Sequence, residues 1–556
     1  MEKKGSPLGT SDFKKIIEAN RYFVDKTMLI RHVLKGDDII LLCRPRRFGK
    51  SLNMEMLRCF FAKGEDNRHL FDGLKISQDA ESMTHLGKYP AILVSFKDAK
   101  QNNFDDTFFN LCYSILQAWK SHQYLAKNPE TEQEYKEWID KLNLDKKNKQ
   151  YYVKSLHKLS ELLFQYHQEQ VVLLIDEYDA PVHAGWLHGY YDDIVSFLKT
   201  LLGSAMKENK NLKKGVLTGI LRVAKESMFS DLNNFISSTV LDSDPYSDQF
   251  GFTEEEVADI FRYYDMNGSE TNSLHEWYDG YRYGRHRIYN PWSVLNYVFS
   301  LEHDLKPFWV NTSQDQLLRR LMFNHQSGIT NFMEPLLRGE KFVIQLGEHL
   351  VFKDLLIQKK ATWTMLVMAG YLKAEKTDKL DHYTVSIPNK EVRYAFTESI
   401  ASWMESDMRT DTRQQMLEAL TLGNIKDFEY YLSAFVLRVF SYFDTSSRYV
   451  ENFYHAFFLG LFAGMEDNYD IRSNREDGYG RYDICLTPHD RSQKGIIIEV
   501  KTPEKATKET LAAALEVAKQ QILENRYETG LKTAGVSTVL RLAIAVQGKK
   551  VKVAKV

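Results

Sequence analysis

Short apolar runs separated by longer mixed segments dominate the first part of the chain. The runs lie at 39–43, 91–94, 171–175 and 216–221, and a threonine and a glycine interrupt the last one. Apolar runs of this kind, with helical segments between them, predict a parallel sheet that is covered on both faces. The stretch from about 121 to 150 is polar and charge-rich, which indicates an insertion of solvated helices. The predicted fold class of this part is α/β.

The pattern becomes mainly helical and aromatic from about 242 to 402. Thr253 and Glu256 stand at the two reciprocal positions of a capping box, which predicts the start of a helix. Two short extended pieces, near 371–374 and 383–387, follow a helical segment that ends at a glycine. This order fits a winged-helix-like unit within the helical middle region.

The last part of the chain forms a further unit whose elements follow the order αβββαβ. The predicted helices span 447–465 and 505–525, and the predicted strands span 469–473, 481–486, 495–501 and 539–546. A chain of 556 residues is also too long for one hydrophobic core. We therefore expect three domains, at 1–240, 241–402 and 403–556.

Composition excludes several classes of protein. The hydrophobic fraction is 43% and the formal net charge is −2, so the chain is globular and lacks the strong basic excess of many nucleic-acid binders. Any contact with nucleic acid must therefore come from local patches. The four cysteines show no paired spacing, which favours a reducing cytoplasm. No run approaches the roughly 20 apolar residues of a membrane span, so we expect a soluble cytoplasmic protein without a membrane partner.

A candidate phosphate site follows the first apolar run. The turn after residue 43 ends in Gly49-Lys50-Ser51 and opens a helix. A glycine lets backbone N–H groups approach a phosphate, the lysine neutralises its charge, and the hydroxyl can ligate Mg²⁺. The full phosphate-loop pattern requires a glycine where Arg44 stands, so a basic surface turn is the alternative. The turn contributes these candidate cofactor-binding residues: Arg46, Arg47, Phe48, Gly49, Lys50 and Ser51.

Two later strands supply candidate partners for this turn. Asp176 and Glu177 end the run at 171–175, where the first acid of an ATPase binds Mg²⁺ together with Ser51 and the second polarises the attacking water. The alternative is an acidic turn after a core strand. Thr218 and Arg222 are weaker candidates, for contacts with the γ-phosphate and with transition-state charge respectively.

Several long segments identify a resemblance to a known family. They are YFVDKT, RPRRFGKSLN, VVLLIDEYDAPV, KESMFSDLNN, FGFTEEEV and NPWSVLNY, all between residues 9 and 300. These segments resemble the predicted AAA-ATPases that are common in anaerobic bacteria. The resemblance implies a P-loop NTPase fold, ATP and Mg²⁺ as ligands, and Asp176 with Glu177 as the Walker B pair. That family itself has the RPRRFGKS form, so the arginine at position 44 is typical of it.

Acidic residues near the carboxyl end form a second candidate site. On the strand at 495–501, Glu499 and Lys501 share one face with Ile497, and Asp483 lies on the preceding extended segment. Two carboxylates on adjacent strands suit Mg²⁺ or Mn²⁺, and the lysine can orient water or stabilise phosphate charge. The alternative is an ion pair at the edge of the sheet.

The spacing from Asp483 to the Glu-x-Lys strand, and the αβββαβ order, resemble the PD-(D/E)XK nuclease superfamily. The resemblance implies a restriction-endonuclease-like fold and makes Glu451 a further metal ligand, with His455 one turn later. Gln521 stands where many members have a supporting polar residue. Tyr482 replaces the proline that often precedes the aspartate.

Three further features are open to a structural or a functional interpretation. Residues 278–287 are basic and aromatic, a mixture that can bind nucleic acid or simply form a loop. A basic tail is formed by Lys549, Lys550, Lys552 and Lys555. The histidines show no zinc-ligand spacing. A neighbouring copy could supply an arginine to the ATP site, with Arg222 or Arg285 as candidates.

The function predicted from these motifs is ATP binding and hydrolysis coupled to metal-dependent cleavage of nucleic acid. Glu177, Asp483, Glu499 and Lys501 are the predicted catalytic residues. The predicted metal ligands are Ser51, Asp176, Glu451, Asp483 and Glu499. The expected partners are ATP, nucleic acid and a second copy of the chain. The alternative is a nucleotide-dependent switch or scaffold whose last domain binds nucleic acid or a protein without cutting.

Overall fold

The computed structural model describes the chain from residue 3 to residue 556 with internal gaps. The gaps are 143–147, 224–234, 267, 301–302, 304, 310–316, 319, 323–328, 338, 348–351, 356, 408–409, 440–457, 459–460, 463–464, 466–467, 474–475, 478–479, 482, 504–509, 526–527 and 548–549.

More of the described residues lie in helices than in strands. They are α1 (Phe13–Glu18), α2 (Met28–Lys35), α3 (Lys50–Phe61), α4 (Ala80–Met83), α5 (Phe104–Ser121), α6 (Glu132–Lys141), α7 (Lys149–His167), α8 (Ala180–His188), α9 (Tyr191–Met206), α10 (Glu254–Tyr264), α11 (Gly268–Tyr278), α12 (Pro291–Phe299), α13 (Met333–Leu337), α14 (Lys359–Met368), α15 (Lys390–Asp407), α16 (Thr410–Leu422), α17 (Ile425–Val439), α18 (Leu511–Asn525) and α19 (Thr529–Thr533).

The strands fall into two larger sheets and three small ones. They are β1 (Ile39–Cys43), β2 (Ala91–Ser95), β3 (Val171–Asp176), β4 (Leu212–Gly219), β5 (Phe235–Ser238), β6 (Tyr281–Tyr283), β7 (His286–Ile288), β8 (Phe342–Gln345), β9 (Lys373–Lys376), β10 (His382–Ser386), β11 (Tyr469–Ser473), β12 (Glu476–Asp477), β13 (Gly480–Arg481), β14 (Ile484–Pro488), β15 (Gly495–Lys501), β16 (Val539–Gln547) and β17 (Lys550–Lys555).

Chain contacts divide the molecule into two compact units. The first comprises Met1–Trp309 and Phe342–Glu391, and the second comprises Val310–Lys341 and Val392–Val556. The three-domain division drawn from sequence stays a prediction.

A parallel sheet with the strand order β2-β3-β4-β1-β5 forms the centre of the first unit. The α/β fold predicted from the apolar runs is therefore confirmed. The strands β1 and β3 are buried along their whole length, as the uninterrupted runs require. Ile40, Leu42 and Leu174 pack with residues of α1, α2 and α3 in one hydrophobic core.

The middle region adopts the capping box that the sequence predicts. The Thr253 side chain accepts a hydrogen bond from the backbone N–H of Glu256, and the Glu256 carboxylate accepts one from the N–H of Thr253. The predicted extended pieces correspond to β9 and β10. A third strand, β8, which the sequence analysis did not identify, completes an antiparallel sheet of order β8-β10-β9.

A mixed sheet with the order β11-β14-β15-β16-β17 forms the second unit. The pair β15–β16 is parallel and the other neighbours are antiparallel. The helix α18 connects β15 to β16 and packs on Cys485, Ile497 and Ala543 of one sheet face. The helix predicted at 447–465 lies mostly outside the described residues. Three lysines of the basic tail, Lys550, Lys552 and Lys555, lie in the strand β17, and Lys549 lies outside the described residues.

No helix in the described parts of the chain combines the length and the apolar character that crossing a membrane requires.

Candidate nucleotide and metal sites

The candidate phosphate loop joins β1 to α3 with two residues in the left-handed region. Gly49 has φ 84° and Arg47 has φ 67°. No atom lies within 4 Å of a Cβ built on Gly49, so the glycine is needed for its backbone conformation and not for space. Arg47 adopts this conformation at a cost, and its guanidinium lies 3.9 Å from the centre of the Trp292 ring.

Lys50 lies at the centre of the loop and is 4% exposed. Its Nζ donates to the carbonyl of Arg44 at 3.1 Å and to that of Pro45 at 2.9 Å. Burial lowers the pKa of Lys50, and the carboxylates of Glu177 and Asp176 oppose that shift. The ammonium is therefore held inside the loop, where the backbone carbonyls stand in for an anion.

Asp176 connects the loop to the end of β3. One carboxylate oxygen accepts a hydrogen bond from the Ser51 hydroxyl at 2.6 Å, and the other accepts one from the Thr218 hydroxyl at 2.5 Å. The sequence expected Thr218 to contact a phosphate, whereas here its hydroxyl holds the acid. The structure thus brings Ser51 and Asp176 together, as a shared Mg²⁺ site requires.

Glu177 follows at the carboxyl end of β3 with φ 51°. Its backbone N–H donates to the Thr218 hydroxyl at 3.4 Å. The residue lines a cavity beside Lys50 and Ser51. Its left-handed conformation turns the chain sharply, so the two adjacent acids, Asp176 and Glu177, occupy different positions around the loop.

Arg44 points away from the loop into the core. Its guanidinium donates to the carbonyls of Cys43 (2.8 Å), Ser238 (3.0 Å) and Tyr246 (3.0 Å), and to the Ser238 hydroxyl (2.9 Å). The rings of Phe250 and Tyr283 lie 5.3 and 5.4 Å from it. This explains how an arginine replaces the first glycine of the usual pattern. The side chain points away from the face of the loop that would contact phosphate, and its hydrogen bonds stabilise the loop from the opposite side.

Phe48 and Arg46 anchor the same loop to other elements. The Phe48 ring is buried and packs edge-on against Tyr281, with ring centres 5.1 Å apart. The indole N–H of Trp309 donates to the Arg46 carbonyl at 3.2 Å. Both contacts hold the backbone of the loop, and neither could be inferred from local sequence.

Arg222 lies on the β5 side of the sheet. Its guanidinium donates to the Ser237 hydroxyl at 2.9 Å and lies 5.4 Å from the Phe235 ring. In this conformation it contacts β5 and not the loop residues. Its assignment as a nucleotide-binding residue stays a prediction that requires a rotamer change.

Asp179, in the DEYDAPV segment, and His183, directly after that segment, also line the site, although no role was predicted for them from sequence. Asp179 accepts hydrogen bonds from the N–H groups of Ile220 (2.8 Å) and Leu221 (2.9 Å), and burial raises its pKa to about 6. His183 is 9% exposed, and burial lowers its pKa to about 3, so it is neutral. Both line a small cavity with Lys50 and Glu177. Asp179 could have been identified from sequence, because it is a second aspartate three residues after Asp176.

A cavity of about 400 Å³ extends from the loop towards the amino-terminal segment. Lys50 and Ser51 line one part, and Tyr22, Phe252 and Leu295 are among the apolar residues of the other. The volume is at the small end of the range for ligand cavities. A nucleotide fits such a cavity, with its phosphates on the loop in the polar part and its base in the apolar part.

The second candidate site lies where β14 meets β15. Ile484 pairs with Ile498 in the antiparallel register, and Asp483 lies in the bend directly before β14, where continuing the register by one residue would place it opposite Glu499. Asp483 is 6% and Glu499 2% exposed, and Lys501 Nζ lies 3.0 Å from Glu499 Oε1. The Asp483 carboxylate accepts a hydrogen bond from the Val500 N–H at 2.7 Å. Lys501 and Glu499 are therefore in contact, and Asp483 is held to the same strand through Val500.

The remaining predicted members of this site differ in what can be said of them. Glu451, His455 and Tyr482 lie outside the described residues. Gln521 is on α18 between Ala518 and Ile522, which pack on the face of the sheet that bears Ile497. Its Oε1 is buried and has no hydrogen-bond partner among the residues that the structure describes.

One cluster of metal-ligand types was not predicted from sequence. Ligand atoms of Glu254, His275 and Asp279 lie within 4.8 Å of one another. The Tyr289 hydroxyl donates to Glu254 at 2.7 Å and contacts the His275 ring, while Arg287 forms an ion pair with Asp279. Because the arginine already supplies positive charge, we interpret the cluster as a network that joins α10, α11 and β7.

Comparison with known proteins supports both resemblances. Residues 7–229 match the family model described as predicted AAA-ATPase, and residues 449–556 match the PD-(D/E)XK nuclease superfamily. Both family resemblances predicted from sequence are therefore confirmed. A relative from Azotobacter chroococcum mcd 1, described as an uncharacterized protein in the vnfD 5′ region, is 24% identical over 503 residues, which cover 87% of each chain.

Two solved structures show weaker similarity. One is the signal transduction ATPase with numerous domains, with a tetratricopeptide repeat sensor, from Pyrococcus horikoshii, at 12% identity and a TM-score of 0.25 over 80% of this chain and 54% of that one. The chain thus matches about half the length of that protein. The other is Drosophila ORC bound to AT-rich DNA and Cdc6, at 10% identity and a TM-score of 0.19 over 70% of this chain and 91% of that one.

Proposed function

We propose that this protein binds and hydrolyses ATP in its first unit and uses the nucleotide state to control a metal-dependent nuclease in its second. The observation that carries the proposal is the Lys501–Glu499 ion pair of 3.0 Å at the end of β15, beside which the Asp483 carboxylate accepts a hydrogen bond from the Val500 N–H. Buried carboxylates beside a lysine are expensive to desolvate, and a cation that they share would offset that cost.

The ATP half of the proposal rests on the contacts that the loop makes with itself. A triphosphate would compete with the carbonyls of Arg44 and Pro45 for the Lys50 ammonium. Ser51 and Asp176, already in contact, are the residues that would hold Mg²⁺. Glu177 is the candidate for orienting the attacking water.

The nuclease half uses residues that suit a hard divalent cation. Asp483 and Glu499 offer carboxylate oxygens on adjacent strands, which fits Mg²⁺ or Mn²⁺. The cation would act as a Lewis acid and lower the pKa of water. Lys501, held by Glu499, can orient a water or stabilise charge on the phosphodiester oxygens. Glu499 keeps that lysine in place.

Cleavage assays with matched variants test the proposal. Parent, Lys50→Ala and Glu499→Gln are incubated with ATP, Mg²⁺ or Mn²⁺, and single- and double-stranded DNA and RNA. We expect Lys50→Ala to lose ATP binding, and Glu499→Gln to lose cleavage and Mn²⁺ binding while it keeps ATP binding. Asp483→Asn should behave like Glu499→Gln. If Asp483→Asn cleaves as fast as the parent, the nuclease assignment is wrong.

A nucleotide-dependent switch or scaffold is the second candidate. The observation that favours it is the internal pairing of Lys50, together with the near-neutral charge of the chain. A scaffold needs no metal at Asp483, so calorimetric titration with Mn²⁺ separates the two functions. Heat that is absent in Asp483→Asn and present in the parent supports the nuclease.

A further inference from the structure

The strand β2 lies at one edge of the parallel sheet and has one side of its backbone free of a neighbouring strand within the described chain. The carbonyl of Pro90 accepts a hydrogen bond from the N–H of Val172 at 2.9 Å, so the even-numbered residues bond to β3. Bonding direction alternates along a parallel ladder. The N–H and C=O groups of Ala91, Leu93 and Ser95 therefore point away from β3.

These outward groups face a cleft of about 960 Å³, which we call the edge cleft. Ala91, Leu93 and Ser95 form its floor, α3 forms one wall and α5 the other. The strand has neither a proline nor a charged residue, the two devices that usually protect an exposed edge. Because this edge lies in a cleft between two helices, a single extended segment could reach its backbone groups.

The walls of the edge cleft define the chemistry of what can enter it. Along α5 they present uncharged polar side chains, including Asn110, Ser114 and Gln117. On α3 the charge of Arg58 is matched by Glu55 at 2.9 Å and Glu65 at 2.7 Å. The lining also includes Lys63 and Asp98, so acidic and basic side chains nearly balance, and a segment without strong net charge suits the cleft.

A polar network closes one end of the cleft. The Nδ1 atom of His122 lies 3.1 Å from the Tyr124 hydroxyl, which lies 2.8 Å from Nε2 of His167. His122 is 8% exposed and its ring lies beside the backbone of Ala91. The His122 ring also bonds to the backbone of Ala91, so the network closes the cleft at the beginning of β2.

We propose that the edge cleft binds an extended, uncharged peptide segment of a partner protein, which joins the sheet as a further strand beside β2. An extended peptide presents N–H and C=O groups with the same repeat as Leu93 and Ser95, about 6.6 Å for two residues. Five residues, roughly 17 Å long, would pair with the whole strand. Tyr113 and Tyr166, 48% and 38% exposed, line the cleft and would pack on the added segment.

Selection of displayed peptides by the full-length protein tests this proposal. Linear twelve-residue peptides are selected on the parent, synthesised with a fluorophore, and measured by fluorescence polarisation. The matched variant is Leu93→Pro, which removes one outward N–H and no bond to β3, a position where an edge strand tolerates proline. We expect at least a tenfold loss of affinity in Leu93→Pro, and a similar loss when alternate amides of the peptide are N-methylated.

Two controls keep the result decisive. ATP binding and the thermal midpoint report whether Leu93→Pro folds, and Tyr113→Ala, on an exposed wall position, gives a second reading if it does not. Peptide binding should also slow amide exchange at 91–95. Failure to select any binder, or binders that ignore both variants, overturns the proposal. A parent dimer in light scattering that Leu93→Pro abolishes would also overturn it, because the added strand would then come from a second copy.

Discussion

Replacing Arg44 with glycine would restore the usual phosphate-loop pattern, yet we expect it to destabilise the protein. The guanidinium is fully buried and donates four hydrogen bonds, to Cys43, Ser238 and Tyr246. Three of the four hydrogen bonds go to Ser238 and Tyr246, which lie 194 and 202 residues further along the chain. Arg44→Gly therefore removes a link between β1, β5 and the segment before α10, and leaves their carbonyls without a donor.

The magnitude follows from the contacts that are lost. Hydrogen bonds from a charged donor contribute about 1.5–3 kcal/mol each, and removing one partner of a buried charged network costs about 3–5 kcal/mol in total. Burial lowers the pKa of Arg44 and thus disfavours its charged form. Removing this buried charge therefore offsets part of the stability that is lost with the hydrogen bonds. We expect a loss of about 3–5 kcal/mol, which lowers the thermal midpoint by roughly 6–10 °C.

Differential scanning fluorimetry and urea unfolding measure this loss. Arg46→Ala is the matched control, because it removes the same charge from the same loop while its side chain makes no comparable set of bonds. It should shift the unfolding free energy by about 0.5 kcal/mol or less. If Arg44→Gly is as stable as Arg46→Ala, the guanidinium does not brace the loop and the structural explanation of the unusual motif is wrong.

Two further predictions concern buried positions of the first unit. Burial raises the pKa of Glu391 from 4.5 to about 8, so the folded chain holds this proton more tightly than the unfolded chain does. The contribution of this group to the free energy of unfolding is complete below about pH 4.5 and is lost as pH rises through 8. Glu391→Gln should therefore flatten the decline in stability that urea unfolding measures between pH 5 and 8.5. A Cβ at Gly219 would lie 2.7 Å from Asp179 Oδ1, so Gly219→Ala should lower the free energy of unfolding by about 1–3 kcal/mol. Gly203, on α9, has open space around its Cβ position, so Gly203→Ala should leave the free energy of unfolding unchanged or raise it by up to about 1 kcal/mol. Equal effects of the two substitutions in guanidinium unfolding would contradict this prediction.

Local pattern was sufficient for the elements whose signal lies within a few residues. The apolar runs at 39–43 and 171–175 predicted β1 and β3 because strands buried on both faces have no polar positions. The alternation in 495–501 placed Glu499 and Lys501 on one face because side chains alternate across a strand. Each of these inferences needs only the period of the backbone.

Long-range partners could not be read from the same patterns. Nothing near Arg44 indicates that its acceptors lie at Ser238 and Tyr246, and nothing near Glu391 indicates that its carboxylate accepts hydrogen bonds from Ser293 and from the N–H of Trp309. Such pairings depend on the order in which strands and loops assemble. The position of the candidate phosphate loop between β1 and α3 could accordingly be predicted from sequence, while the contacts that hold the loop required the structure.

The way the loop satisfies its own lysine bears on how tightly it can bind a nucleotide. A buried ammonium without a partner is costly, so the carbonyls of Arg44 and Pro45 allow the loop to stay folded without an anion. The free energy of ATP binding is then the free energy of the new phosphate contacts minus that of the internal hydrogen bonds of Lys50 that ATP displaces. We expect Arg44 to favour binding, because a loop that its hydrogen bonds already fix loses little conformational entropy when the phosphate replaces the carbonyls as the partner of Lys50.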